Sequence, residues 1–316
     1  MSTTIPSRVV IATRGSALAL WQSNWTAARL RERHPGLLVE LCILKTTGDR
    51  FQEAALQAIG GKGAFTKEIT EAIQRGEADL AVHSLKDLPT EATPGLRVWA
   101  HPVRFDPRDA WIGRDGLLYR DIPGHATVAT GSLRRRAQVK HHHPTVTAQD
   151  IRGNVDSRLR KFAEGSMAGM FLASAGLERL GLSGHITEKL DPATFLPAPG
   201  QGALAIEGRD DAMGEALLAP LDDADTRDRV TAERGFLAEL EAGCQVPVAA
   251  IAELRGDELE LDGLVASLDG NETVRGSARG KRTAAERLGR ELAAQLRDRG
   301  AGRILEAIRR SGGVIS

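Results

Sequence analysis

The chain has 316 residues, with 42 Lys and Arg against 42 Asp and Glu. That length implies two or three domains. The zero net charge gives no general reason for a nucleic-acid or anionic-membrane partner. Two cysteines, Cys42 and Cys244, exclude a disulfide framework and a zinc quartet, and no metal site is expected. No apolar stretch approaches ~20 residues and the N-terminus lacks an apolar signal core, so the expected location is cytoplasmic. The charge is uneven, however. Residues 131–161 hold eight Lys or Arg and two acids, whereas residues 205–241 hold eleven acids and four Arg. A neutral chain with one basic stretch suits a specific anionic ligand, and a solvated helix face is the simpler alternative.

Residues 8–12 read as a first strand. Thr13-Arg14-Gly15-Ser16 follows, and then a helix from Ala17 to about Arg33 with Ser16 as N-cap. Its expected buried stripe is Leu18, Trp21, Trp25, Ala28 and Leu30. Residues 38–45 form a second strand, in which Cys42 is expected to be buried. Residues 46–64 make a long connection containing Gly60-Gly61-Lys62-Gly63. A loop of that length is commonly functional, and its glycines with Lys62 and Phe65 suit a lid. A helix over 65–75 leads to the apolar run Leu80 to Val82, which ends abruptly in His83-Ser84-Leu85-Lys86-Asp87-Leu88-Pro89. That is the pattern of a buried strand delivering a hydroxyl, an ammonium and a carboxylate to a site. A Ser-capped turn with solvated charges is the plain alternative.

After Pro102 and Pro107 the opening pattern recurs. Residues 128–133, Val-Ala-Thr-Gly-Ser-Leu, echo residues 10–16 as strand, turn and helix. Two such units imply two similar α/β lobes with a cleft between them. The second helix, 133–142, starts with Arg134-Arg135-Arg136. A strand over 146–151 leads to Arg152-Gly153-Asn154 and a helix with Arg158, Arg160 and Lys161. Another strand spans 168–173, and Ser174 starts the next helix. Around Pro197 and Pro199 the chain returns towards the first lobe, with a strand over 203–206. A third region begins near Asp225. It has a helix over 226–241, a half-exposed strand around Leu259 and Leu261, and a closing helix with Leu288, Leu292 and Leu296. The expected fold is α/β, with a small C-terminal α+β domain built on an antiparallel sheet. The expected divisions are 1–103 with 201–222, then 104–200, then 223–316.

Gly200-Gln201-Gly202 lacks the preceding strand that a dinucleotide fingerprint needs. His141-His142-His143 looks like a metal tract, but consecutive helical residues diverge, and a solvated helix end is the expected setting. Nucleic-acid binding through Arg134 to Arg136 is a rival, weakened by a total of twelve aromatics. A two-lobed anion-binding protein without catalysis is a second rival. Arg forms bidentate pairs with planar oxyanions and stays charged when partly buried. Arg14, Arg134, Arg135, Arg152 and Arg158 fall at or just after strand ends, so a ligand with many carboxylates is expected.

Eight segments in order then carry a resemblance. Residues 12–16 (Ala-Thr-Arg-Gly-Ser), Gly60 to Gly63, His83 to Pro89 and Ser132 to Arg135 are four of them. Residues 152–155, 175–177, 199–203 and 243–247 are the others. Together they resemble the porphobilinogen deaminase (hydroxymethylbilane synthase) family from about Val9 to the C-terminus. The resemblance implies two lobes like periplasmic binding proteins around a cleft, and a third domain carrying a cofactor cysteine. It implies a transferase that joins four porphobilinogen molecules head to tail, releasing ammonia, to give hydroxymethylbilane. The implied cofactor is a dipyrromethane held by a thioether to Cys244. The matching residues are Asp87 for catalysis and Lys86, Ser132, Arg134, Arg135 and Arg158 for the cofactor. Arg14, Ser16, Arg152, Arg179 and Gln201 match substrate-binding positions. The implied state is a cytoplasmic monomer with transient contact to the next enzyme of the pathway. Two departures stand out. Gly131 replaces one of two usual hydroxyl residues, and Ala168 stands where an acid is usual.

Overall fold

In a computed structural model the described residues are 5–46, 66–241 and 246–311. The chain divides into two compact units, residues 1–105 with 203–227 and residues 106–202 with 228–316. In order, the elements are β1 (Arg8–Arg14), α1 (Ala17–Arg33), β2 (Leu38–Leu44), α2 (Lys67–Gln74), β3 (Leu80–Ser84) and β4 (Leu96–Ala100). Next come β5 (Asp109–Gly113), β6 (Thr127–Ala129), α3 (Leu133–His142), β7 (Thr147–Gln149), α4 (Val155–Glu164), β8 (Gly169–Ala173), α5 (Ser174–Arg179) and β9 (Glu188–Lys189). The chain continues through β10 (Leu204–Arg209), α6 (Ala212–Leu218) and α7 (Ala224–Glu239). It ends with β11 (Val248–Arg255), β12 (Glu258–Ala266), β13 (Thr273–Lys281), α8 (Ala285–Leu296) and α9 (Gly302–Arg310).

The first unit holds a five-stranded sheet in the order β2-β1-β3-β10-β4. β1 is parallel to β2 and β3, while β10 is antiparallel to β3 and β4. The second unit repeats the scheme as β7-β6-β8-β5-β9, with β6 parallel to β7 and β8, and β5 antiparallel to β8 and β9. The recurrence of strand, turn and helix is therefore a recurrence of whole sheets. Their cores are the usual apolar faces: Val9, Ile11, Leu80 and Ile206 in one, Ile112, Met170, Leu172 and Leu177 in the other.

The second unit also carries the antiparallel sheet β11-β12-β13. Residues along β11 alternate in their partners. Val248, Ala250 and Ala252 pack with Phe236, Leu288 and Leu292, whereas Ala249 and Ile251 pack with Ala137 and Leu196. That period of two is what a sheet covered on both faces requires. The C-terminal α+β architecture matches the expectation, with a further helix, α9, beyond the expected closing one. Gly300 takes φ 114°, so the backbone turns sharply and resumes as helix where a glycine reads as a stop.

Three expectations are corrected. The fully buried face of α1 is Gln22, Ser23, Thr26, Ala27 and Leu30, and both tryptophans are only half-buried. Small and hydrogen-bonded side chains let the helix lie close to the sheet. Gln22 Nε2 donates to Ser84 Oγ at 2.8 Å, and Thr26 Oγ1 donates to the Gln22 carbonyl at 3.1 Å. Cys42 is half-buried because β2 is an edge strand. The expected strand over 146–151 is only β7, three residues long. Lys62 and Phe65, expected in a lid, and Cys244, expected to hold the cofactor, lie outside the described residues.

Candidate active site

In the first unit the candidate residues collect at the carboxyl ends of the parallel strands β1 and β3. β3 lies between β1 and β10, and its register sets Ser84 opposite Leu204. The Leu85 amide donates to the Ala203 carbonyl at 3.0 Å, and the Leu85 side chain is buried. A single 3₁₀ turn, Leu85–Asp87, then swings Lys86 and Asp87 outward, and the Leu88 amide closes it on the Leu85 carbonyl. Asp87 is exposed, and its carboxylate makes no hydrogen bond or ion pair among the described residues. The turn is thus held by backbone and apolar contacts, not by the charge of Asp87. Behind it, His83 Nε2 lies 3.2 Å from Glu207 Oε2, both buried. Arg14 ends β1, and Ser16 caps α1 by accepting from the Ala19 amide at 3.4 Å.

In the second unit the residues collect at the carboxyl ends of β6, β7 and β8. Ser132 caps α3, accepting from the Arg135 amide at 3.4 Å. This places Arg134 and Arg135 in the first turn, both about 95% buried. They converge on Asp109, which is fully buried. Arg134 Nη1 donates to Asp109 Oδ2 at 2.6 Å, and Arg135 Nε and Nη2 donate to Oδ1 at 2.9 and 2.7 Å. Gln201 Nε2 donates to the same Oδ1 at 3.0 Å and to the Pro107 carbonyl at 2.8 Å. Burial pushes the Asp109 carboxyl up, but the two guanidinium charges and these hydrogen bonds outweigh it and hold it well below the usual range. Burial pushes the Arg135 guanidinium down, and Arg134 adds to this, while Asp109 opposes it.

Arg152 donates from Nε to Asp150 Oδ2 at 2.6 Å, and Arg158 donates from Nε to the Gly153 carbonyl at 2.7 Å. Gly153 takes φ 112°, a turn that favours glycine. A Cβ at Gly131 would stand 3.0 Å from Asp150 Oδ1, so glycine here makes room for that carboxylate. Arg179 is buried on the Gly202 carbonyl at 2.7 Å, and burial lowers its pKa to about 10, with Glu178 opposing. Gly200 and Gly202 both have positive φ and lead straight into β10, so no dinucleotide-binding helix follows them. His142 Nδ1 lies 2.9 Å from the Tyr119 hydroxyl. Among the described residues no group of His, Cys, Asp and Glu is placed to hold a metal ion.

The structure therefore brings Arg134, Arg135 and Gln201 together around an acid that sequence reasoning missed. The available signal was an Asp opening the apolar strand Asp109-Ala110-Trp111-Ile112.

The family description "Porphobilinogen deaminase, dipyromethane cofactor binding domain" matches residues 9–215, and "Porphobilinogen deaminase, C-terminal domain" matches residues 228–298. The chain belongs to the porphobilinogen deaminase family. Relatives of that name agree over nearly the whole length. The one from Syntrophobacter fumaroxidans is 47% identical over 302 residues, covering 95% of this chain and 98% of its own. The one from Trichlorobacter lovleyi is 48% identical over 304 residues, covering 96% and 97%. The one from Nitratidesulfovibrio vulgaris is 46% identical over 315 residues, covering 98% and 99%. Among solved structures, a periplasmic aliphatic sulphonate binding protein from Escherichia coli aligns with 75% of this chain and 71% of its own, at TM-score 0.41 and 12% identity.

The family's cofactor domain implies a dipyrromethane, whose side arms are carboxylates. The donors present fit such a group. Arg134 and Arg135 share one carboxylate and so carry a surplus positive charge. Arg134 Nε is also buried without a hydrogen-bond partner. A desolvated cation with an unmatched donor is costly until an anion meets it.

Proposed function

We propose that this chain condenses porphobilinogen head to tail, releasing one ammonia per unit, to give hydroxymethylbilane, with Asp87 as its catalytic carboxylate. The observation that carries the assignment is Asp87, exposed and without a partner among the described residues, on a turn anchored at the end of the central strand β3. Loss of ammonia from porphobilinogen leaves positive charge on its pyrrole and methylene carbon. A carboxylate held in place stabilises that charge as it develops. The same oxygen atoms accept the proton that leaves the pyrrole carbon after coupling. Lys86, beside it, and Arg14 and Ser16, at the end of β1, offer cations and a hydroxyl to the acetate and propionate arms.

In the second unit, Ser132, Arg134, Arg135 and Arg158 are assigned to the cofactor, and Arg152, Arg179 and Gln201 to the substrate chain. When bound, the dipyrromethane supplies the pyrrole carbon to which the first substrate is joined. The side chains hold its carboxylates, and the planar guanidinium fork fixes their orientation. Cys244 is assigned as the thioether attachment, since a thiolate is the side chain best suited to a soft carbon electrophile.

The reading extends to a cytoplasmic monomer that meets the next enzyme only transiently. In its support, among the described residues no helix is long and apolar enough to cross a membrane. Sedimentation with and without that enzyme tests the oligomeric part. The decisive experiment is intact mass. Purified protein should carry two pyrrole units, and Cys244→Ala should carry none. An unmodified, fully active wild type would defeat the assignment.

A further inference from the structure

We infer that Asp109 is a positioning residue for the condensation: it holds Arg134, Arg135 and Gln201 in the one arrangement that receives the carboxylates of the bound pyrrole chain. The inference rests on the preceding assignment of those three residues and adds a fourth that never touches the ligand.

The strand order shows why this acid reaches them. β5 runs antiparallel to β8, with Asp109 opposite Ala173. Its first residue therefore lies at the carboxyl end of β8, and β6 runs parallel to β8 with its own carboxyl end on the same edge. A strand that runs the other way is the means of placing an acid under that edge without exposing it. Asp109 Oδ1 takes donors from Arg134 Nη2, Arg135 Nε, Arg135 Nη2 and Gln201 Nε2, and Oδ2 takes Arg134 Nη1. Carbonyls complete the frame: Leu196 accepts from Arg134 Nη1 at 2.7 Å and Phe171 from Arg135 Nη1 at 3.1 Å. Each guanidinium plane is fixed by more than one bond.

Stability alone does not account for this cluster. Replacing a buried ion network by apolar side chains of equal volume is often neutral or stabilising. Here the network is also unbalanced, two cations to one anion, and leaves Arg134 Nε unmatched. A charge surplus held rigid out of water is the arrangement expected of a preorganised anion site, where a buried acid fixes the side chains that meet the ligand.

The test uses full-length Asp109→Asn, which keeps shape and loses charge, and Asp109→Glu, which keeps charge and moves it by one methylene. Circular dichroism reports folding, and intact mass reports the fraction of folded protein carrying the dipyrromethane. Asp109→Asn should fold and load at least tenfold less than wild type, with Asp109→Glu recovering part of the loading whatever its melting temperature. Folded Asp109→Asn loaded like wild type would overturn the inference. Failure of both variants to fold would also overturn it, since the carboxylate would then serve the fold. Arg134→Lys separates the two layers. If it loads normally, the assignment of the guanidinium groups fails. If it fails to load while the Asp109 variants load fully, only the role of Asp109 is lost.

Discussion

Asp87 and Asp109 are carboxylates a few strands apart in the chain with opposite settings, one exposed and one fully buried. Asp87 is exposed and has no partner among the described residues, so its substitution has little to cost the fold. Asp87→Asn should therefore melt like the wild type yet lose turnover by about a hundredfold or more, the size of one preorganised electrostatic group. A folded Asp87→Asn protein with near-normal kcat would remove this residue from the chemistry. A loss of melting temperature with normal specific activity would make it a structural residue. Asp87 was legible in the sequence because three different polar groups follow an apolar run at once. Asp109 was not. A single acid at the start of an apolar strand has no periodic signal, and its partners Arg134 and Arg135 lie 25 and 26 residues away. Their expected role as ligand arginines was read from position after a strand, and that position does not reveal an internal counter-ion.

Elements were legible where period and punctuation agreed, and less so where packing set the face. The two Ser-capped helix starts at Ser16 and Ser132 follow directly from strand, turn and helix order. The buried face of α1 does not, because hydrophobicity ranks Trp21 and Trp25 above Gln22 and Ser23, while close approach to the sheet ranks them the other way. The same principle governs α7 and α8. A Cβ on Gly289 would stand 2.1 Å from the Ala232 carbonyl oxygen, and one on Gly235 would stand 2.6 Å from the Glu286 carbonyl oxygen. These glycines fix the helix spacing, since backbone cannot yield as a flexible side chain does. Gly289→Ala should destabilise the protein by about 1–3 kcal/mol or more, despite its gain in helix propensity. Chemical denaturation measures this. Equal or greater stability in Gly289→Ala would show that the two helices are free to separate at no cost.

Across the whole molecule, a net charge of zero conceals the division that the ligand requires. Eight basic residues against two acids over 131–161 coincide with the edge where Arg134, Arg135, Arg152 and Arg158 collect. The excess of acids over 205–241 offsets them elsewhere in the chain. Each porphobilinogen added brings two more carboxylates, so later steps depend more on charge than the first. Arg152 and Arg158 are only half-buried and are open to screening, whereas the pairing of Asp109 with Arg134 and Arg135 is shielded. At 0.1 M salt the screening length is about 10 Å, and at 1 M about 3 Å. Raising sodium chloride over that range should increase KM for porphobilinogen several-fold and shift the covalent intermediates towards shorter chains, while melting temperature changes little. Steady-state kinetics, with intact mass of the covalent intermediates, gives both quantities. The same series on Arg152→Lys should begin from a higher KM, because the planar fork is lost, and keep a similar salt slope, because the charge remains. A KM indifferent to salt in the wild type would mean that Arg152 and Arg158 contribute shape rather than charge. The basic stretch would then be the solvated helix face that its composition alone allowed.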